Sequence, residues 1–376
     1  MLPIRFQPGD PAPWFVCAAS NNPRFSFDTI AGRYVVMSFF GTTRAPAAAT
    51  LLREVCGPLR PFFDDEKVCF FGITVDPDDR NSPSVYQLTP GIRHFWDFDC
   101  AVSRLYGALG PTGRYEGFTL VLDPALRVMS RLALADAEEH NRLLREALSA
   151  LPPPSDHAGT ELSAPVLIAP RVLEPDFCAE LIAFYQAQGG QESGFMRQQD
   201  GQTVGIIDHN FKRRRDVYVE DAGRREQIRN RIQARLLPLI ERAFQYRVSH
   251  LERYLVACYD GAEQGFFRPH RDNTTAGTAH RRFACTINLN AGDYAGGGLR
   301  FPEFGPRVYV APTGGAVVFS CSLLHEALPV TEGRRYALLP FFYDDRAAEL
   351  RARNEHYLSG TTLDMRPPPP VAEMPA

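Results

Sequence analysis

Apolar runs alternate with helically spaced apolar residues through the first 150 positions of the chain. Three runs are long enough for buried strands, over residues 34–40, 68–75 and 118–123. Helical spacing covers residues 45–58 and a closing segment that begins after the N-cap residue Asp136 and ends near residue 151. Alternation of this kind predicts an α/β layer around a central sheet.

Residues 151–165 interrupt this pattern with three consecutive prolines followed by small polar residues. Such a segment cannot continue a helix and buries little surface, so we interpret it as a linker. The predicted organisation is a first domain over residues 1–151, a linker over 152–165, a second domain over 166–350 and a Pro-rich tail over 351–376. The tail is expected to be disordered at its end.

The second domain begins with two helical patterns, over residues 174–186 and 223–244, and continues as short strands. From residue 249 onwards, short apolar runs are separated by Gly, Pro, Asn and Asp, which is typical of a sandwich or barrel. We interpret the basic run at 212–215 as a solvated loop, with contact to an acidic substrate or RNA as the alternative. Three glycines at 296–298 are interpreted as a hairpin turn.

Composition narrows the possible partners and the cellular location. The 376 residues carry a net charge of −3, so there is no electrostatic reason to expect nucleic acid or an anionic membrane as the main partner. No apolar run approaches the ~18 residues that span a bilayer, and residues 1–10 do not resemble a secretory signal. The eight cysteines include no C-x-x-C pair, which disfavours a disulfide framework or a zinc ribbon. We therefore expect a cytoplasmic protein.

The candidate chemistry lies in the second domain. His270 and Asp272 are two residues apart at the end of a predicted strand, so their side chains project to one side. His325 follows another strand 53 residues after Asp272. Two histidines and one carboxylate from different strands can form a facial triad, which leaves coordination positions open and suits non-haem Fe(II).

A fixed cation follows ten residues after His325. Arg335 could hold a distal carboxylate of a cosubstrate through two parallel hydrogen bonds. Its neighbour Arg334 points to the opposite face of the same predicted strand. We therefore assign the carboxylate to Arg335.

These motifs carry a family resemblance. The second domain resembles the prolyl-4-hydroxylase-type 2-oxoglutarate and Fe(II)-dependent dioxygenases. The segments that carry the resemblance are ACYDGAEQGFFRPHRDN, FACTINLN, GGGLRFPEFG, PTGGAVVF and H-x-x-x-P-V-x-x-G-x-R-Y. The resemblance covers residues 165–350 and implies a double-stranded β-helix, or jelly roll, with flanking helices. It also implies Fe(II), with 2-oxoglutarate and O2 as cosubstrates, and it allows ascorbate as an accessory.

By this resemblance, the iron ligands are His270, Asp272 and His325, and Arg335 binds the C5 carboxylate of 2-oxoglutarate. Tyr259 matches a position whose hydroxyl contacts the cosubstrate, with a core tyrosine as the equal alternative. Asn288 falls where relatives often place a tyrosine beside the basic residue. The implied activity is hydroxylation of an unactivated C–H bond in a prolyl or other residue of a protein. Hydroxylation of a free amino acid or small metabolite is the alternative.

Residues 5–150 resemble the peroxiredoxin branch of the thioredoxin fold, on GDPAPWF, DTIAGRYVVMSFFG, GITVDPDD, FDCAVSRLYGAL and GFTLVLDPALRV. The family's active loop reads P-x-x-x-T-x-x-C, and here Gly41, Ala45 and Ala48 stand at its Pro, Thr and Cys positions. Without a thiolate there is no nucleophile for peroxide. We interpret this domain as a catalytically inactive scaffold that binds substrate or partner, or mediates homodimer contacts.

Two competing hypotheses remain open at this point. One is a non-catalytic interaction protein made of two degenerate domains. The other is a thiol peroxidase that works through Cys56 or Cys69. The overall prediction is a two-domain α+β protein, in which a thioredoxin-like α/β domain precedes a jelly roll.

Overall fold

The computed structural model describes residues 6–20, 22–85 and 87–358. Within these residues the chain divides into two compact units. The first comprises residues 6–163 with 302–306, and the second comprises residues 164–301 with 307–358. The end of the predicted Pro-rich tail, residues 359–376, lies outside the described residues.

The first unit contains seven strands and three α-helices among its described residues. Its strands are β1 Val16–Ala19, β2 Asn22–Ser26, β3 Tyr34–Gly41, β4 Val68–Thr74, β5 Ile92–Trp96, β6 Phe118–Leu122 and β7 Val128–Ala133. Its helices are α1 Pro46–Cys56, α2 Ala101–Leu105 and α3 Ala137–Ser149.

These strands form one mixed sheet in the order β2-β1-β5-β4-β3-β6-β7. The central strands β3, β4 and β5 are parallel, whereas β6 runs antiparallel to β3, and β7 runs antiparallel to β6. All residues of β3 and β4 are buried, which explains their continuous apolar runs. Asp136 caps α3 by accepting hydrogen bonds from the backbone N–H groups of Glu138 and Glu139, as the sequence predicts. The thioredoxin-like prediction is confirmed.

The second unit contains the remaining elements. Its strands are β8 Leu167–Ala169, β9 Gln191–Glu192, β10 Phe195–Gln199, β11 Gln202–Ile206, β12 Lys212–Arg213, β13 Arg215–Tyr218, β14 His250–Glu252, β15 Leu255–Asp260, β16 Phe266–His270, β17 Phe283–Asn288, β18 Tyr294–Gly296, β19 Leu299–Arg300, β20 Val308–Tyr309, β21 Ala316–Ser320, β22 His325–Ala327, β23 Val330–Leu338 and β24 Phe341–Tyr343. Its helices are α4 Pro175–Gln188, α5 Ala222–Arg235, α6 Leu237–Phe244 and α7 Asp345–Asn354.

Two antiparallel sheets form the body of this unit. The smaller has the order β12-β16-β22-β19-β20, and the larger contains the path β14-β24-β17-β23-β15-β13-β9. Strand β18 joins the larger sheet at β23, and β21 joins it at β17. This arrangement confirms the jelly-roll prediction. Strands β16 and β22 of the smaller sheet carry the predicted metal ligands, and β23 of the larger sheet carries Arg335.

The helix predicted over residues 223–244 is divided into α5 and α6 at Leu236. Pro238 lies in the first turn of α6, where a backbone N–H group would have no partner within the helix, so its absence loses no hydrogen bond. Inside one continuous helix, the proline ring would clash with the preceding turn. The apolar face continues from α5 into α6, because Ile228, Ile232 and Ile240 are all buried. The periodicity therefore predicted the buried face correctly and the number of helices incorrectly.

Two loop interpretations were wrong. Residues 212–215 are not a solvated loop, because they belong to β12 and β13 and the side chains of Lys212 and Arg214 are buried. The glycines at 296–298 do not form a hairpin, since β18 pairs with β23 while β19 pairs with β20 and β22. They carry the chain between the two sheets, and Gly296 and Gly297 have positive φ angles that favour glycine.

The chain is helical where the predicted tail begins. Helix α7 starts at Asp345, and its N-cap Asp344 accepts a hydrogen bond from the backbone N–H of Ala347. Arg351 of this helix donates to the Tyr343 hydroxyl at 2.7 Å and lies 3.2 Å from the Glu252 carboxylate. These contacts fasten α7 to β14 and β24. None of the helices in the described residues is both long enough and apolar enough to cross a membrane.

Candidate metal centre and cosubstrate pocket

His270, Asp272 and His325 converge at one end of the neighbouring strands β16 and β22, which lie inside the smaller sheet. Strands β16 and β22 are antiparallel neighbours in which His270 lies directly opposite His325. The Asp272 carboxylate lies 3.6 Å from Nε2 of His270 and 3.4 Å from Nε2 of His325. One donor atom from each of the three residues fits within 4.8 Å of the others. This separation suits three ligands of a single metal ion.

The backbone orients both imidazole rings. Nδ1 of His270 lies 2.7 Å from the carbonyl oxygen of Arg268, and Nδ1 of His325 lies 3.0 Å from that of Leu323. A carbonyl oxygen can only accept a hydrogen bond, so each Nδ1 carries the proton and each Nε2 presents its lone pair towards Asp272. This second layer of contacts is typical of metal-binding histidines.

Burial and neighbouring charges set the protonation of His325 and Asp272. Burial and the nearby His270 lower the pKa of His325 to about 4, so its imidazole is neutral at pH 7. Burial by itself would raise the pKa of Asp272, but the facing His325 and His270 rings hold it well below its usual range. The site therefore offers the neutral imidazole of His325 and the carboxylate of Asp272 beside the ring of His270.

Aromatic side chains form one wall of this centre. The ring of Phe267 stacks on that of His270 with 3.5 Å between centroids, and Phe211 contacts Phe267 edge-on. The Lys212 ammonium nitrogen lies 4.9 Å from the Phe267 centroid and donates hydrogen bonds to Ser193 and Gly194. Burial lowers the pKa of Lys212 well below its usual range. The sequence did not predict that Lys212 is buried or that it makes these contacts.

Arg335 is buried, with 4% of its surface exposed. Its guanidinium donates to the Thr286 hydroxyl at 3.0 Å, and no carboxylate in the described part of the chain lies within 4 Å of it. Arg334 instead has 60% of its side chain exposed and forms an ion pair with Asp260 at 2.8 Å. The strand faces are therefore as the sequence predicts. A buried guanidinium without a carboxylate partner is suited to an anionic ligand.

Tyr259 lies beside Arg335. The two residues are paired across β15 and β23, and the guanidinium carbon of Arg335 lies 5.2 Å from the centre of the Tyr259 ring. The Tyr259 hydroxyl accepts a hydrogen bond from Arg214 at 3.4 Å, and Arg214 forms a buried ion pair with Asp216. The structure places Tyr259 next to the predicted cosubstrate cation. Its direct contact with 2-oxoglutarate stays a prediction.

A pocket opens beside Arg335, and Asn288 forms part of its wall. The other lining residues are Thr286, Tyr294, Gly297, Gly298, Tyr309, Val310, Ala311 and Val317. The Asn288 amide nitrogen donates to the Tyr294 hydroxyl at 2.8 Å and to the Ala311 carbonyl at 3.0 Å. Sequence reasoning identified Arg335 and Asn288 but missed Thr286 and Tyr294, because neither lies in a recognisable spacing with the metal ligands.

The first unit offers no cysteine at the place where the resemblance puts the nucleophile. Ala45 is the N-cap residue of α1, and Ala48 is fully buried in its first turns. Cys56 is the last residue of α1, at the opposite end of the helix. Burial raises the pKa of Cys69 to about 12, which keeps that thiol protonated and unreactive at pH 7.

We expect no thiol-dependent peroxide consumption by the purified protein, measured with dithiothreitol as the reductant. Ala48→Cys should not restore full activity, because the side chain at position 48 is buried and Gly41 and Ala45 also depart from the active loop. Robust wild-type turnover that disappears in Cys56→Ser would contradict the inactive-scaffold interpretation.

Comparison with known proteins gives a family match and curated relatives. Residues 254–343 match the 2OG-Fe(II) oxygenase superfamily. A multifunctional procollagen lysine hydroxylase and glycosyltransferase of Caenorhabditis elegans is 29% identical over 181 residues, which cover 44% of this chain and 22% of that protein. The chain thus spans about a fifth of the length of this curated relative.

Solved structures similar to the chain fall into two groups. A prolyl hydroxylase from Trichoplax adhaerens, in complex with a hypoxia inducible factor peptide fragment, has 18% identity and a TM-score of 0.39, and covers 51% of this chain and 87% of that one. Peroxiredoxin Q of Xanthomonas campestris has 19% identity and a TM-score of 0.31, and covers 36% of this chain and 90% of that one. Residues 254–343, which contain the His–Asp–His cluster and Arg335, are a domain of the 2OG-Fe(II) oxygenase superfamily.

Proposed function

We propose that the protein is a 2-oxoglutarate- and Fe(II)-dependent hydroxylase that modifies an unactivated C–H bond in a residue of a protein substrate. The observation that carries the proposal is the pairing of a preoriented His–Asp–His cluster with a buried guanidinium that has no carboxylate partner within 4 Å among the described residues. If Arg335 had only a structural role, its buried positive charge would have no negatively charged partner.

The donor set fits the metal that we propose. His270, Asp272 and His325 would hold Fe(II) on one face and leave its other positions open for a cosubstrate and O2. When bound, Fe(II) and 2-oxoglutarate supply the coupled oxidation in which the cosubstrate loses CO2 and the substrate gains an oxygen atom. The donor residues alone do not require ascorbate, which stays a proposed accessory.

The chain's own residues orient the reactants and exclude water. The carbonyl oxygens of Arg268 and Leu323 hold the imidazole rings in one tautomer and one direction. Arg335 would fix the distal carboxylate of 2-oxoglutarate and so set the position of its keto acid end. Phe267 covers one side of His270 and keeps water from that face.

A protein substrate is favoured by the curated relative, which is named for procollagen lysine hydroxylation. We propose a prolyl residue as the first candidate and a lysyl residue as the second, with a free amino acid or small metabolite as the alternative. We further propose a cytoplasmic location, and a role for the first unit as a scaffold that binds substrate or partner or forms a homodimer.

The test is a turnover assay on the full-length protein with Fe(II), 2-oxoglutarate and O2. Peptides that contain proline, lysine or neither would be supplied in parallel with free amino acids. We expect succinate formation to be stimulated by one class, with the mass of one oxygen added to that substrate. Absence of both 2-oxoglutarate binding and succinate formation would contradict the proposal and favour a non-catalytic protein.

A further inference from the structure

The pocket beside Arg335 contains a phenol that the sequence motifs do not include. Tyr294 is the first residue of β18, and it pairs with Gly333 of β23, two residues before Arg335. A β-carbon built on Gly297 would lie 3.1 Å from Cδ of Arg335 and 3.4 Å from Cε2 of Tyr294. Gly297 therefore brings the two side chains together, because it adds no atoms of its own between them.

The hydrogen bonds of Asn288 determine the direction of the Tyr294 hydroxyl. The Asn288 amide nitrogen donates to the carbonyl oxygen of Ala311 at 3.0 Å. If the amide were rotated by 180°, its own oxygen would face that carbonyl oxygen, and two acceptors cannot form a hydrogen bond. The same nitrogen donates to the Tyr294 hydroxyl oxygen at 2.8 Å. The phenol accepts this hydrogen bond, and its own proton is left to donate elsewhere.

Arg335 and Tyr294 thus both offer a hydrogen-bond donor to this pocket. Arg335 donates to Thr286, and its remaining N–H groups face a pocket with no carboxylate among the described residues within 4 Å. The Tyr294 proton is the second donor. A ligand carboxylate has two oxygen atoms and can accept from both.

We propose that Tyr294 donates a hydrogen bond to the distal carboxylate of 2-oxoglutarate beside Arg335, and that Asn288 is a positioning residue that directs this hydroxyl. The inference rests on the proposed function and deepens it, because it assigns the cosubstrate contact to Tyr294 where Asn288 was predicted. A tyrosine at position 288 would present its phenol from β17, whereas here the phenol comes from β18 and an amide supports it.

The experiment measures ligand binding without turnover. Full-length protein loaded with Fe(II) under anaerobic conditions is titrated with 2-oxoglutarate, and the dissociation constant is read from the absorbance change. Pyruvate is titrated in parallel, because it has the same 2-oxo acid end and lacks the distal carboxylate. Tyr294→Phe removes only the hydroxyl. Tyr254→Phe is the matched control, because the Tyr254 ring lies against Arg225 and does not line the pocket.

We expect Tyr294→Phe to weaken 2-oxoglutarate binding by about 10- to 100-fold, as for loss of a hydrogen bond to a charged group. Pyruvate binding should change by less than about twofold, since a ligand without the distal carboxylate has no contact to lose. Asn288→Ala should weaken 2-oxoglutarate binding in the wild-type background and add little in the Tyr294→Phe background. Such non-additivity is what a residue acting through Tyr294 produces.

Two results would overturn the inference while leaving the proposed function intact. One is wild-type affinity for 2-oxoglutarate in Tyr294→Phe, and the other is an equal loss for 2-oxoglutarate and pyruvate, which indicates a structural role. If Tyr294→Phe does not fold, an equal loss for 2-oxoglutarate and pyruvate in Asn288→Ala has the same meaning. A wild-type protein that binds pyruvate but not 2-oxoglutarate would overturn the inference and the proposed cosubstrate together.

Discussion

Replacement of Asp272 by alanine is expected to abolish 2-oxoglutarate turnover while the fold persists. Asp272 is the only carboxylate in the His–Asp–His cluster, so its loss removes the negative charge that offsets a divalent ion. Metal-ion catalysis contributes several kcal/mol, so turnover should fall by more than about 1000-fold. The measurements are succinate formation and bound iron per chain. His270→Ala should behave in the same way.

The control is Asp345→Ala, which removes an exposed carboxylate from the start of α7 in the same unit. Its iron content and turnover should match those of the wild type. Asp272 lies beyond the last residue of β16 and outside the regular strands, which is why we expect near-native circular dichroism from both variants. Continued 2-oxoglutarate decarboxylation in Asp272→Ala and His270→Ala would refute the ligand assignment.

Replacement of Arg335 by alanine should raise the apparent KM for 2-oxoglutarate by at least about 30-fold. The guanidinium is buried, and loss of one partner of a desolvated charge pair costs about 2–5 kcal/mol. The Fe(II) requirement should change little, because the metal ligands lie on the smaller sheet and Arg335 lies on the larger one. Steady-state rates over a range of 2-oxoglutarate concentrations provide the measurement.

Arg334→Ala is the matched control, since it removes the same side chain one residue away. Its ion pair with Asp260 is largely exposed, so the KM should change by less than about threefold. Arg335→Lys should give an intermediate KM, because it keeps the charge and loses the paired donors. An effect of Arg334→Ala without an effect of Arg335→Ala would mean that the wrong arginine has been assigned.

The sequence predicted those features that depend on neighbouring positions along the chain, such as the alternation of side chains in a strand. The spacing of His270 and Asp272 places both on one side of a strand end, and the alternation of faces in β23 separates Arg335 from Arg334. The continuous apolar runs predicted β3 and β4 because both faces of these strands are covered.

The parts that the sequence did not predict depend on distant contacts. Tyr294 reaches the pocket because β18 pairs with β23, and the orientation of Asn288 depends on the Ala311 carbonyl, 23 residues away. The buried position of Lys212 depends on its pairing with β16, whereas charge alone favours a solvated residue. The spacing of residues along the chain cannot predict these contacts, since each depends on segments that are far apart in sequence.

The burial of Lys212 has a consequence for chemical labelling. The chain contains two lysines, Lys67 and Lys212, among 41 lysine and arginine residues. Lys67 is partly exposed and hydrogen-bonded to the Leu151 carbonyl, while Lys212 is enclosed by Ser193, Gly194 and Phe267. An amine-acylating reagent can reach Lys212 only when this part of the jelly roll opens. The rate of Lys212 acylation therefore measures local opening beside His270, and Lys67 in the other unit serves as the internal reference.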